Sequence, residues 1–175
     1  TLISASMAAF AFAKIKFRCA NLLLKLYLAT MMIPTQVTMI PLFVIMNKLG
    51  LIDSYASVIL PSIFRPFAVF MLVQQTRTVP ADCLDAARVD GANIFQVYAR
   101  VALPLCAPTL ATLAVTTFME SWNDYLWPLL MLTDRAKMTL PIALSTTNGQ
   151  YNTEYNVLMA GSFLSTFPTI FIYLF

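Results

Sequence analysis

The amino-acid sequence predicts an all-α membrane protein, a polytopic bundle of helices, and three observations lead to this fold class. Hydrophobic residues make up 59% of the 175 positions and charged residues only 11%, whereas soluble domains carry about 25% charged residues. The apolar residues form long blocks, several of them near the roughly 20 residues that a helix needs to cross the hydrocarbon core. The basic residues cluster in two of the polar stretches between these blocks.

The blocks predict the elements one after another. In order they are the second half of a span at 1–13, a span at 21–47, a polar turn, a span at 56–73, a polar segment at 80–101, a span at 102–118 that continues unevenly to 132, a loop at 133–155, and the start of a last span at 156–175. Prolines 34 and 41 free backbone carbonyls inside a span, so that helix is expected to be kinked and packed in a bundle. Residues 1–175 are interpreted as one transmembrane domain, a fragment truncated within a span at both ends.

The positions of lysine and arginine predict the orientation, because cytoplasmic loops carry an excess of these residues. Most of them lie in 14–25 and 77–100, and only Lys48, Arg135 and Lys137 lie on the other side. The two basic segments are therefore predicted to face the cytoplasm. An aromatic cluster then falls at the outer interface, where such belts occur: Trp122, Tyr125 and Trp127.

Composition also excludes several kinds of site. With no histidine, the usual general base and zinc ligand are missing, so neither catalytic residues nor a metal site are predicted. Three scattered cysteines without a CxxC pair are interpreted as structural thiols. No basic run alternates with aromatic residues, which argues against nucleic acid as a partner.

The polar 80–101 segment has the features of two short helices joined by a bend. Pro80 suits a first helical turn, and Asp82 and Asp85 lie near the positive end of the helix dipole. Gly91 permits the left-handed conformation that ends helices, and Asn93 can cap a second helix.

The second of these helices is expected to carry Gln96 in the capping-box position. It should also present one apolar stripe, at Ile94, Val97, Tyr98 and Val101. An amphipathic helix on the inner leaflet would be richer in lysine. A helix pair that fits a groove on a cytoplasmic partner is therefore the preferred interpretation.

The stretch "DAARVDGANIFQVYARVALP" resembles the EAA loop of binding-protein-dependent ABC importer permeases. The matching positions are Asp85, Ala86, Ala87, Asp90, Gly91, Leu103 and Pro104. The family usually has Glu where this chain has Asp85. Three further stretches, "MMIPTQVTMIPLFVIMNKLGLIDSY", "SWNDYLWPLLML" and "VLMAGSFLSTFP", resemble the sugar-uptake branch, the maltose and glycerol-phosphate type of inner-membrane component.

The resemblance implies a MetI-like ABC permease fold with cytoplasmic coupling helices, in a multi-pass protein of the bacterial inner membrane. It implies inward transport of a carbohydrate, polyol or sugar phosphate by alternating access. The implied partners are a second permease, an ATPase dimer, a periplasmic or lipid-anchored solute-binding protein and the lipid bilayer. The sequence has no GxxxxGK[ST] loop. No cofactor is therefore expected on this chain, and ATP and Mg are expected on the ATPase.

Two alternatives remain at this stage: an ABC permease for a solute other than a sugar, and an ion-coupled secondary transporter. Secondary transporters often place acidic residues at mid-membrane. Here Glu120 falls at a span end, and the other acidic residues outside the 80–101 segment fall in loops: Asp53, Asp124, Asp134 and Glu154. This distribution disfavours the ion-coupled transporter.

A few single residues are candidates for contact with the solute or with the binding protein. Arg65 is the one basic residue deep in a predicted span, where it either serves the solute path or extends its charge to the interface. Trp122 and Asn123 either contact solute or anchor the chain at the interface. The turn at Asn148, Gly149 and Gln150 in the outer loop is a candidate contact for the binding protein.

Overall fold

The computed structural model describes residues 1–147 and 155–174, and all the regular elements in this part of the chain are helices. The α-helices are α1 (Leu2–Lys14), α2 (Ala20–Ala29), α3 (Thr35–Lys48), α4 (Tyr55–Ser62), α5 (Pro66–Thr78), α6 (Ala81–Val89), α7 (Ile94–Val97), α8 (Leu103–Leu105), α9 (Ala107–Trp122), α10 (Leu126–Met131), α11 (Leu140–Thr147) and α12 (Tyr155–Leu174). Thr30–Met32 and Arg135–Lys137 are 3-10 turns, and Tyr98–Ala102 is a π-helical turn. The predicted all-α class is confirmed.

Helices long and apolar enough to cross a membrane account for much of the described chain. Tyr55–Thr78, which comprises α4 and α5, is long and apolar enough to be one span, and so is Tyr155–Leu174, which is α12. Two pairs are long and apolar enough when each is counted as one broken span: Ala20–Met32 with Thr35–Lys48, and Ile94–Leu105 with Ala107–Trp122. The described residues therefore provide two to four candidate spans, in agreement with a multi-pass protein.

The predicted loop at 133–155 is wrong where α11 forms. The sequence of α11, "LPIALSTT", is apolar in its first half and has Pro141 in the first turn, where a missing N–H costs nothing. Ile142 is fully buried, so tertiary packing stabilises a helix that is too short to be stable alone. The span predicted at 56–73 also continues further, to Thr78, because Thr76 still packs in the core.

The chain divides into two compact units, of which the first comprises residues 1–34 and 62–114. Its main contact is the parallel packing of α1 on α5. Near the start of α1, the Thr1 and Ser4 hydroxyls donate to the carbonyls of Ser62 and Ile63. At its end, the Lys14 Nζ donates to the Val79 carbonyl at 2.7 Å. α1 is therefore attached to both ends of α5.

The spacing of small and branched residues explains this close packing. α1 buries Ala5 and Ala9, four residues apart on one face, and small residues let helix backbones approach closely. The buried face of α5 carries mostly larger side chains, which fill the space beside the small residues of α1. Its buried residues are Ala68, Val69, Leu72, Val73 and Thr76.

The second unit comprises residues 35–61 and 115–175. Its core contains Met46, Met131 and Leu132. Two indole groups join helices within it, because Trp127 Nε1 donates to the Ser57 carbonyl at 3.0 Å and Trp122 Nε1 donates to a carbonyl of α12 at 2.9 Å. Both bonds satisfy polar groups that an apolar environment would otherwise leave unpaired.

Candidate functional site

The bend in the 80–101 segment is built as the sequence predicts. α6 ends at Val89 with Asp90 as its C-cap, and Gly91 takes the left-handed conformation with φ +83°. The Gly91 N–H donates to the Arg88 carbonyl and the Ala92 N–H to the Ala87 carbonyl, each at 3.0 Å. This pair of bonds is a Schellman motif, which closes the helix and turns the chain sharply.

The second helix begins with the predicted capping box. The Gln96 N–H donates to Asn93 Oδ1 at 2.9 Å, and the Asn93 N–H donates to Gln96 Oε1 at 2.8 Å. Pro80 lies one residue before α6, at the N-cap position, instead of inside its first turn. Hydrogen bonds within the segment therefore close the bend on both sides, through the C-terminal turn of α6 and the capping box of α7.

Apolar side chains on the bend point in two directions. Leu84 and Val97 are buried against the rest of the first unit, at 3% and 0% exposure. Val89, Ile94 and Phe95 are exposed, Val89 at 88%. A bend that presents large apolar side chains outward is suited to insertion into an apolar groove on another protein.

The predicted apolar stripe is therefore only partly right. Val97 is buried and Tyr98 and Val101 are half-buried, but Ile94 is 54% exposed. Ile94 lies in the exposed first turn of the second helix, beside Asn93 and Phe95, whereas the stripe residues from Val97 onward pack in the core. A spacing of 3.6 residues per turn predicts which residues share a face of the helix, but not where along the helix their burial begins.

The residues matched to the EAA loop separate into two groups. One group lies at the bend, where Ala87, Asp90 and Gly91 line an open cleft. The cleft has a volume of about 340 Å³ and is also lined by Gln96 and Arg100. The exposed Asp85 carboxylate forms an ion pair with Arg88, one turn further along α6, at 2.8 Å; Ala86 is exposed beside it.

The other group, Leu103 and Pro104, follows the π-helical turn. Leu103 is half-buried beside a small cavity, and Pro104 is an exposed residue of the first turn of α8. This cavity has a volume of about 10 Å³, comparable to a single water molecule. It is far too small for a sugar.

The 80–101 segment is fastened to α1 by contacts that sequence reasoning did not identify. Besides the bond from Lys14 to the Val79 carbonyl, the Tyr98 hydroxyl and Ser6 Oγ are 2.8 Å apart. The Tyr98 ring also packs against Phe10, with centroids 5.5 Å apart. In the sequence, Lys14 is only one of the positive charges that predict which side of the membrane a loop faces.

The candidate solute-path residues have varied surroundings. Arg65 is half-buried in extended backbone (φ −106°, ψ 115°) just before Pro66 starts α5. Trp122 donates its indole N–H to Ser165 and stacks on Phe118 at 5.6 Å. Asn123 is exposed, and its side-chain amide donates to the Met119 carbonyl. The candidate binding-protein contact at 148–150 lies outside the described residues.

Asp53 and Lys137 form a second polar centre, in the second unit. Asp53 Oδ1 accepts the Thr133 and Asp134 N–H groups, each at 3.0 Å, and Oδ2 accepts Lys137 Nζ at 2.6 Å. The Lys137 Nζ also donates to the Asp53 carbonyl, and the Asp53 N–H donates to the Met131 carbonyl. The hydrogen bond from Lys137, followed by that from Asp134, lowers the pKa of Asp53 to about 2, and the same pair raises the pKa of Lys137.

Residues 1–147 and 155–174 provide no metal-binding geometry. No group of three or more Cys, Asp or Glu side chains there is placed to hold an ion. The three cysteines in this part of the chain are free thiols: Cys19 and Cys83 are exposed and Cys106 is buried.

A protein-family model, several curated proteins and a solved structure match this chain. The model of the family "Binding-protein-dependent transport system inner membrane component" matches residues 1–175. The arabinooligosaccharides transport system permease protein AraQ of Bacillus subtilis is 40% identical over 175 residues, which is all of this chain and 62% of that protein. The lactose transport system permease protein LacG of Rhizobium radiobacter is 32% identical over 173 residues, 99% of this chain and 63% of that protein.

A third relative and one solved structure agree with these matches. The sn-glycerol-3-phosphate transport system permease protein UgpE of Shigella flexneri is 35% identical over 170 residues, 96% of this chain and 60% of that protein. A crystal structure of a bacterial ABC transporter involved in the import of the acidic polysaccharide alginate matches with a TM-score of 0.86 and 25% identity, over 98% of this chain and 67% of that chain. The chain spans about three fifths of the length of these curated relatives. With its MetI-like helical fold, this chain belongs to the family of binding-protein-dependent transport system inner membrane components.

Proposed function

We propose that this chain is the transmembrane permease subunit of an ATP-driven ABC importer. It moves a carbohydrate, or a related polyol or sugar phosphate, inward by alternating access in a bacterial cytoplasmic membrane. Its partners are a second homologous permease, a dimer of ATPase subunits and a solute-binding protein that is periplasmic or lipid-anchored. The family match supports the importer role. Relatives named for arabino-oligosaccharides, lactose and glycerol phosphate support the solute class.

The observation that carries the proposal is the exposed apolar surface on the bend. Val89, Ile94 and Phe95 point outward from a turn whose backbone is held by a Schellman motif and a capping box. Exposed apolar side chains on the spans are expected to be covered by lipid, but the 80–101 segment is predicted to face the cytoplasm, where exposed apolar patches mark sites of protein–protein interaction. A groove on the ATPase would cover them and gain apolar contact without having to order the bend first.

The roles of the matched residues follow from their positions. Gly91 shapes the bend, Ala86 and Ala87 leave room for a close approach, and Asp85 and Asp90 supply polar contacts at the rim. Leu103 and Pro104 direct the chain back toward the membrane. We assign ATP and Mg to the ATPase, and the 175 residues of this chain contain no GxxxxGK[ST] loop.

We assign Arg65, Trp122 and Asn123 to the solute path, and Asn148, Gly149 and Gln150 to contact with the binding protein. The amide of Asn123 and its exposed position suit hydrogen bonding to hydroxyl groups. For Trp122 only the ring remains for such a contact, since its N–H is already bonded to Ser165.

The proposal is tested with the permease, its partner permease, the ATPase and the binding protein reconstituted in liposomes. ATP inside the liposomes should drive uptake of the solute that the binding protein carries. Phe95→Ala should reduce the ATPase that co-purifies with the permease roughly tenfold, since large aromatic side chains dominate such interfaces. Phe17→Ala, a matched truncation outside the bend, should leave it unchanged. Uptake that needs an ion gradient and no ATP would overturn the proposal in favour of a secondary transporter.

A further inference from the structure

The inference concerns how the 80–101 segment is fastened to the rest of the first unit. Two polar contacts join it to α1, one at each end of the segment. Lys14 reaches the Val79 carbonyl immediately before Pro80, and Ser6 meets Tyr98 where the chain returns. One short helix therefore holds both ends of the bend.

The contact at the start of the segment is favoured by the local electrostatics. Val79 follows α5 in extended backbone (φ −63°, ψ 123°), so its carbonyl points beyond the last helical turn. The next residue is a proline at the N-cap of α6, and the Val79 side chain is buried. A cationic donor near a helix C-terminus is stabilised by the helix dipole, and its hydrogen bond is charge-assisted. Lys14 supplies this donor from the last turn of α1.

The contact at the end of the segment has a defined donor. Ser6 Oγ is 3.0 Å from the Ile3 carbonyl, to which it donates its single hydrogen. The Tyr98 hydroxyl is therefore the donor to Ser6 Oγ, across 92 residues of sequence. Ser6 is only 7% exposed, so bulk solvent has little access to its side of the bond.

The position of Tyr98 determines which parts of the first unit this bond connects. Tyr98 is the first residue of the π-helical turn, an interruption of the α-helix of a kind that is frequent at functional sites. The contacts of Tyr98 with Ser6 and Phe10 fix α1 to the point where the segment leads back into the core. With Ser6 and Lys14 about 12 Å apart along the α1 axis, a single helix links both ends of the segment.

We infer that Lys14 and Tyr98 are positioning residues for transport, which make α1 move together with the 80–101 segment when the ATPase closes. This inference rests on the proposed function. It assigns to α1, and to a lysine outside the EAA-like stretch, the task of converting movement of the bend into movement of the spans. The work of the ATPase is then transmitted through two hydrogen bonds, one to a main-chain carbonyl and one to a serine.

The test measures the amount of solute transported per ATP hydrolysed in the reconstituted transporter. Lys14→Met keeps the length of the side chain and removes its charge, so solute transported per ATP should fall roughly tenfold while ATPase co-purification stays normal. Lys14→Arg should restore the ratio, because it retains a cationic donor. Lys16→Met removes a neighbouring exposed charge and should leave the ratio unchanged.

Tyr98→Phe keeps the ring against Phe10 and removes only the hydroxyl. It should lower the same ratio, and it carries the test alone if Lys14→Met does not assemble. A merely structural role would reduce assembled protein, uptake and ATP hydrolysis together and leave the ratio unchanged, and that result would overturn the inference. A wild-type transporter that does not retain the ATPase or hydrolyse ATP would instead count against the proposed function.

Discussion

Asp53 shows how one residue can hold a loop by combining backbone conformation with charge. Its φ of +58° lies in the left-handed region, which Asp and Asn tolerate better than most residues. This conformation lets its N–H and carbonyl as well as its carboxylate face the 131–137 segment. A residue with the wrong backbone preference or without the negative charge would lose part of this set.

The lowered pKa of Asp53 makes its contribution to stability depend on pH. The folded-state pKa is about 2, below the ordinary value of about 3.9 for an unfolded chain. The contribution is therefore complete above about pH 4 and is lost as the pH falls toward 2. Asp53→Asn keeps the tolerated backbone conformation and removes the charge, so it should lower Tm at pH 7 and flatten the decline of Tm between pH 4 and 2.

Thermal unfolding of the purified protein, followed across this pH range, is the measurement. Asp85→Asn is the control, because the Asp85–Arg88 pair is exposed and surface pairs contribute little. If Asp53→Asn and Asp85→Asn had the same small effect at pH 7, the proposed stabilising role of Asp53 would be contradicted.

At the bend between α6 and α7, the effect of backbone strain on a substitution can be separated from the effect of steric clash. A Cβ added at Gly91 would meet no heavy atom within 4 Å, so any cost of substitution comes from the backbone at φ +83°. Gly91→Val should abolish uptake and loosen ATPase association, since β-branched residues are strained at positive φ. Gly91→Asn should retain most activity, because Asn adopts this region more readily.

Uptake and ATPase co-purification, measured on both variants at matched membrane levels, decide this prediction. Asp85→Ala is expected to be milder than Gly91→Val, because it removes one polar contact that already competes with Arg88. Normal uptake by Gly91→Val would show that the bend does not need the left-handed residue.

The same bend shows which parts of an element can be predicted from sequence. Its capping box and its C-terminal glycine are encoded within a few residues, so local rules predict them correctly. The exposure of Ile94 is not predicted, because helical periodicity identifies a face of the helix and not the point along it where packing begins. Lys14 was missed because its acceptor is 65 residues away and is a main-chain atom.

For the whole molecule, hydropathy predicts the existence of spans better than their ends. The amphipathic end of α5, with Thr76 buried and Arg77 exposed, extends a helix beyond its hydrophobic block. α11 falls in the 133–155 stretch, which is predicted as a loop because it is polar overall, although packing of Ile142 makes these eight residues helical. Both errors come from interactions between elements, to which a window of sequence is insensitive.

Orientation in the membrane is the prediction that belongs to this scale. Native Cys83 is an exposed thiol on α6, predicted to face the cytoplasm, and Arg135 lies in a loop predicted to face outward. With Cys19 and Cys106 replaced, a membrane-impermeant maleimide should label Arg135→Cys on intact cells and should label Cys83 only after the membrane is opened. The reverse pattern would invert the topology and exclude the coupling role of the 80–101 segment.

The bond from Lys14 to the Val79 carbonyl has a consequence for comparing related permeases. Every residue type at position 79 offers the same carbonyl, so exchange of Val79 for another apolar residue can preserve the bond. A substitution at 14 therefore has no compensating partner at 79, and pairwise covariation between the two positions carries no record of their contact. Homologue alignments should instead be searched for retention of a cationic side chain at position 14 alone.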